Sequence, residues 1–218
     1  MSKEYRVLGS VRAQDLSEKQ KEDNQMLVEG YALKFGTESE RMYTFSREDG
    51  VVEFTETIDR GALAEADMED VRYLFNHDSS AILGRTTNGT LELEVDEVGL
   101  RYKAKLPNTT VARDVYENIR VGNISQCSFG FTISDGFDEV TKREDGTWGR
   151  VLRKIDSLFD VSAVTYPAYK DTDVSSAQRS IEKQISKDEL EERQELLKRF
   201  EGLYLDNKLR ELKGGSSK

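Results

Sequence analysis

Histidine and cysteine are almost missing from this chain: its 218 residues contain one of each, His77 and Cys127. A lone cysteine excludes an internal disulfide. With a single imidazole beside it, a zinc site would have to be built from carboxylates, which structural zinc sites rarely are. No metal and no cofactor is therefore expected. The cysteine usage fits a reducing compartment. An excess of basic residues is missing too. Lys and Arg number 32 against 42 Asp and Glu, a net charge of −10, which disfavours a phosphate backbone as the main partner. The first residues carry no apolar signal core, and no run approaches the length of a membrane span. A soluble, cytoplasmic protein that engages neither nucleic acid nor membrane is expected.

What is present is polar. Charged residues make up 34% of the chain and hydrophobic ones 36%, so part of it is expected to stay solvated. The length suits one globular domain with an appendage. Apolar alternation and short apolar runs predict strands over 4–13, 27–35, 51–58, 71–75, 91–95, 100–106, 127–133, 151–155 and 158–165, with polar loops at 14–25 and 36–50. Asp59 suits the N-cap of a short helix over 62–68. Thr109 or Thr110 caps a second over 111–120, where Val111, Val115 and Ile119 recur at helical spacing. Many short strands and two helices predict a mainly β fold with peripheral helices (α+β), a small, partly open antiparallel barrel or sandwich over residues 1–172.

The character then changes. Residues 173–185 show no core pattern and read as a linker. Ser186 and Glu189 match a capping box, opening a helical arm over 186–213 ahead of a flexible tail at 214–218. Leu190, Leu197 and Tyr204 lie seven apart, with Leu196, Phe200 and Leu203 beside them. Such a stripe serves a helix lying on its own domain, or an arm that docks onto a partner or onto a second copy as a homodimer.

His77 is the one side chain whose ordinary pKa lets it trade a proton near neutral pH. It needs a hydroxyl or thiol to activate, and the stretch Gln126–Phe131 offers Ser128, 51 positions further on (128 − 77). Cys127 is an alternative, but neighbours on a strand face opposite ways. Gly130 lets the backbone approach a bound substrate. Asp160 opens an otherwise apolar strand, where a carboxylate costs free energy unless paired. An imidazolium would supply that partner, and the carboxylate would hold its tautomer. Asp78 is a rival for this role, disfavoured because it is adjacent to His77 on a strand. On the residues alone, a satisfied core histidine, a serine filler and a strand-edge aspartate stay open.

Asn76-His77-Asp78 is flanked by Gly61-Ala62-Leu63 and Leu83-Gly84-Arg85. Gly99-Leu100, Ser128-Phe129-Gly130-Phe131 and Asp160-Val161-Ser162 through Pro167-Ala168-Tyr169 follow in order. In this combination, over roughly residues 26–172, the chain resembles the tailed-phage prohead protease family, itself similar to the herpesvirus assemblins. The resemblance implies a serine endopeptidase on a small assemblin-like β-barrel surrounded by helices. It implies cleavage of scaffold and major-capsid-protein precursor segments, and of the enzyme itself, inside the immature prohead in the host cytoplasm. His77 matches the family's base and Ser128 its nucleophile. Asp160 stands where related chains usually carry Glu and assemblins a second histidine. Backbone N–H groups are the default oxyanion donors, and those of Phe129 and Gly130, helped by Arg85, are the expected set. The competing expectation is a non-enzymatic head-assembly or scaffolding protein on the same barrel.

Overall fold

The last strand of the β region inserts between two earlier ones, and that insertion positions everything that follows. The computed structural model describes residues 2–17, 20, 25–46, 50–166 and 175–214. Within these, an eight-stranded sheet runs β6 (Asp78–Arg85), β5 (Arg72–Phe75), β12 (Ser157–Val164), β9 (Gln126–Ile133), β1 (Ser2–Ala13), β2 (Leu27–Lys34), β8 (Gly99–Lys105), β7 (Leu91–Val95). A four-stranded sheet runs β10 (Asp138–Lys142), β11 (Trp148–Leu152), β4 (Gly50–Ile58), β3 (Met42–Ser46).

The larger sheet curls until β6 comes against β8, yet its edge strands β6 and β7 share no ladder. It is a curled, open half-barrel, mainly β, and its edges are not closed by a ladder. Nor is the pairing all antiparallel: β5 runs parallel to β12, and β4 parallel to β11. β3, β6 and β10 escape sequence reading because their patterns are weak. Tyr43 and Phe45 of β3 point to solvent, and β6 opens on three exposed polar residues.

The helix predicted over 62–68 is instead a run of turns. Asp59 Oδ1 accepts the Gly61 N–H at 2.8 Å, and the N–H groups of Ala62, Ala64 and Ala66 donate to carbonyls three residues back. A bridge from Asp67 to Ser157 then draws the segment onto the sheet. The helix α1 (Thr110–Arg120) does form. Thr109 Oγ1 accepts the Ala112 N–H at 3.2 Å, and Ala112, Val115 and Ile119 are buried while Val111 faces solvent.

One face of the larger sheet carries the main core, with Tyr73, Tyr102, Phe129, Phe131 and Val161 fully buried. Phe129, Phe131 and Val161 each contribute about 1.5–3 kcal/mol by leaving water. A second apolar cluster corrects the expected linker. The helix α2 (Ser175–Gly214) starts 11 residues before Ser186 (186 − 175), so the capping-box residues lie inside it. Ala177, Ile181 and Ile185, four apart, pack on Val52, Phe54 and Trp148 of the smaller sheet. Three apolar residues among charged ones leave little trace in sequence, yet they suffice to cover a small sheet. Past Ile185 the exposed Leu190, Leu196 and Leu197 have left it. Residues 173–174, the tail 215–218 and the Pro167-Ala168-Tyr169 motif lie outside the described residues.

β1 ties the two sheets together through buried charge. Arg6 Nε donates to Glu56 Oε1 at 2.7 Å, and Arg6 also pairs with Glu4. Arg150 donates to Glu56 at 2.7 Å, to Glu4 at 3.0 Å and to Asp138 at 2.6 Å. Three carboxylates share two guanidinium groups. Burial raises the Glu4 carboxyl, whereas Arg6 and Arg150 overcome the same burial at Glu56 and hold it below its usual range. Strand alternation sends Tyr5, between Glu4 and Arg6, to the opposite face.

Candidate active site

β5 and β6 are joined by a two-residue turn, Asn76-His77, closed by the pairing of Phe75 with Asp78. Both turn residues have positive φ, 50° and 58°, as in the type I′ turns whose twist matches the flanking strands. Asparagine and histidine are among the few side chains enriched in this region, at a cost of about 1–3 kcal/mol each. The surroundings hold the turn in place. The Asn76 N–H donates to Ala163 O at 2.9 Å, and Asn76 Oδ1 accepts from the Thr165 N–H at 3.0 Å and its hydroxyl at 3.3 Å. His77 is thus presented over β12 and β9.

On those strands Ser128 pairs with Ser162, and Gly130 with Asp160, so all four share the face opposite the Phe129–Phe131 core. His77 Nδ1–H donates to Asp160 Oδ1 at 2.7 Å, and the Ser128 hydroxyl donates to His77 Nε2 at 2.7 Å. A carboxylate can only accept, so Nδ1 carries the ring proton and Nε2 is free to take the serine's. Ser128 and Asp160 are buried, while the His77 side chain keeps 18% of its exposure. Tyr5 flanks the imidazole with ring centroids 4.3 Å apart, and its edge meets Phe159 at 5.6 Å. Burial and then the Asp160 charge raise the Tyr5 phenol, which therefore stays neutral beside the pair.

Gly130 has a different role from the one its sequence suggests. A Cβ there would lie 2.6 Å from Asp160 Oδ2 and 2.6 Å from the Phe159 ring. Glycine lets the carboxylate lie over the β9 backbone on its way to His77. Gly130→Ala should displace Asp160 and lower turnover by ~10²–10⁴, the range for a lost third member of such a triad. Turnover measured beside far-UV circular dichroism checks this. Wild-type turnover in a folded variant would show that the carboxylate has room to spare.

Cys127 faces the core and donates to Ser128 O at 3.6 Å, and burial pushes its thiol up to about 12, so it is no nucleophile. Asp78 spends its carboxylate on the Ser80 N–H and hydroxyl at 2.8 and 2.6 Å. It is no rival, although the reason differs from the expected one: His77 sits in a turn, not on a strand. Phe129 and Gly130 are paired on both sides, with β1 and with β12. Their N–H groups lie in the plane of the sheet rather than toward the Ser128 face. Arg85 closes the far end of β6 from His77, opposite Arg72, and binds Asp70 at 2.6 and 2.8 Å. Arg85 is thus committed to Asp70. The ladder does break beside the nucleophile. Arg6 pairs with Phe129 and Gly9 with Cys127, leaving Val7 and Leu8 opposite Ser128 in a bulge.

Three contributors are invisible or nearly so in the sequence. Asn76 could have been found as the first residue of a tight hairpin turn. Ser162, two residues after Asp160, shares its face by period two. Tyr5 carries no local signal, because its place depends on the order of strands. Among the described residues no group of three His, Cys, Asp or Glu is placed to hold a metal ion.

A hydroxyl, an imidazole and a buried carboxylate bonded in series form the constellation of a serine hydrolase, carried here on the outer face of a curled sheet. The sequence model of the caudovirus prohead serine protease family matches residues 14–187, and the chain belongs to that family. It is accordingly a serine protease of viral assembly, a maturation enzyme that cleaves capsid and scaffold precursors. No curated protein and no solved structure matches the chain. The family match starts at residue 14 and so leaves out β1, the strand that supplies Tyr5.

Proposed function

We propose that Ser128 is the nucleophile of this protease, His77 its general base and Asp160 the acid that orients and charges the pair. The observation that carries this reading is the unbroken series of two 2.7 Å hydrogen bonds from Ser128 through His77 to Asp160. Ser128 Oγ attacks the scissile carbonyl carbon as Nε2 takes its proton. Asp160 stabilises the resulting imidazolium, which then gives the proton to the leaving amine. The acyl-enzyme is released by a water that Nε2 deprotonates in turn. The substrates are segments of the major capsid protein precursor and of the scaffold, met inside the immature shell in the host cytoplasm.

The β region acts as the protease domain, and the part of α2 beyond Ile185 acts as the arm that docks it to those precursors or to a second copy. Self-cleavage belongs to the same reading. The helical packing of residues 175–185 argues against a cut within them, since a protease binds its substrate extended. A non-enzymatic assembly role accounts for neither the family nor the bonded series.

The test is covalent. In assembled immature shells, a serine-directed phosphonylating probe should label Ser128, and labelling should vanish in His77→Ala. Labelling that persists undiminished in His77→Ala, or that falls on another serine, would remove these roles.

A further inference from the structure

We propose that Ser162 is a fourth, positioning member of the relay, its hydroxyl fixing the Asp160 carboxylate and through it the His77 ring. The proposal rests on the reading of His77, Ser128 and Asp160 given above. Ser162 lies directly opposite Ser128 in the β9–β12 ladder and is fully buried, 0% exposed. Its Oγ donates to Asp160 Oδ1 at 2.9 Å and stands 3.2 Å from His77 Nδ1. The carboxylate oxygen that receives the imidazole proton therefore has a second donor.

Two features of the site give that donor a task. Asp160 is one methylene shorter than glutamate and meets Nδ1 through a single oxygen, so a rotation of the carboxyl about its own bond would break the contact. The other oxygen, Oδ2, lies against the Gly130 backbone, where a Cβ would come within 2.6 Å, and glycine has no side chain to bond it. A hydroxyl two residues along the same strand face supplies the missing restraint. Proton placement points the same way. With Nδ1 protonated, the Ser162 hydrogen has the carboxylate as its acceptor, and its oxygen becomes a second acceptor for Nδ1–H. In the other tautomer, Asp160 Oδ1 would face a bare ring nitrogen, lone pair to lone pair. One arrangement satisfies Ser162, Asp160, His77 and Ser128 together, and it is the one that leaves Nε2 ready for the serine proton.

The test uses the full chain and two readouts. Loss of a hydrogen bond to a charged group typically costs ten- to hundredfold. Ser162→Ala should therefore slow phosphonylation of Ser128 by a serine-directed probe roughly ten- to hundredfold, with the probe's binding constant unchanged. Because the chain has one histidine, its ring signals in NMR report His77 alone. In Ser162→Ala the Nδ1–H proton signal should move, since that proton loses one of its two acceptors. Ser162→Thr keeps the hydroxyl and should restore both readouts. A Ser162→Ala protein with the wild-type reaction rate and an unmoved Nδ1–H signal would overturn the proposal, even with Ser128 and His77 proven essential. If Ser128→Ala still turned over substrate, the relay itself would fail, while the Nδ1–H signal would still decide whether Ser162 governs the ring. Thermal unfolding of each variant separates loss of fold from loss of position.

Discussion

Shells assembled with Ser128→Ala should keep their capsid and scaffold precursors uncut. The expected fall in turnover is ~10⁴–10⁶-fold, as when a nucleophile is removed from a triad that acts as a unit. The substitution removes one oxygen and leaves Cβ in place. The ladders that hold β9 between β1 and β12 are therefore preserved, and the fold should survive. No neighbour can take over. Cys127 is turned into the core with its thiol pushed up to about 12, and Ser162 lies on the far side of the imidazole, at Nδ1 rather than Nε2. Mass spectrometry of the capsid proteins from shells with and without intact Ser128 measures the effect directly. Mature termini appearing at the wild-type rate in Ser128→Ala shells would mean that the nucleophile lies elsewhere.

Asp160→Asn should cost about 10⁴ in turnover, less than loss of the nucleophile. An amide can occupy the same volume, so the damage is one of hydrogen bonding rather than packing. Its nitrogen donates where the carboxylate accepted, which favours a ring with Nδ1 bare and Nε2 protonated. That tautomer points a proton at Ser128 and cannot take one from it. Asp78→Asn is the matched control. Asp78 is exposed and bonded to Ser80, so its variant should cleave at close to the wild-type rate. Residual cleavage measured side by side for the two variants decides the matter, and greater damage from Asp78→Asn would transfer the orienting role to it.

The candidate triad was legible in the sequence to different depths. His77 stands out through scarcity, since no other imidazole competes for the role. Ser128 and Asp160 emerge as polar residues in apolar strands, and the family resemblance assigns their roles. Their meeting was not legible, because it depends on β12 entering between β5 and β9 and pairing parallel with a strand more than 80 residues earlier. Periodicity reports which face a residue takes, not which strand lies beside it. The same limit explains the antiparallel expectation, and it explains Gly130, whose need comes from a carboxylate on the neighbouring strand. Local chemistry was read well where nothing distant overrode it, as at the Thr109 cap of α1. It was read badly where a side chain drew off the backbone, as Asp59 does at Gly61. The start of α2 was missed because its three buried residues answer to a sheet formed far upstream.

The place of β12 also bears on when this enzyme becomes dangerous to its own neighbours. Until that strand has been made and has slipped between β5 and β9, the hairpin bearing His77 has no ladder to the strand bearing Ser128. Chains emerging from the ribosome fold from the N-terminal end, so a nascent copy holds base and nucleophile on separate pieces of sheet. On the roles proposed for them, a chain without β12 is expected to cleave nothing, because His77 then has neither Asp160 nor a ladder to Ser128.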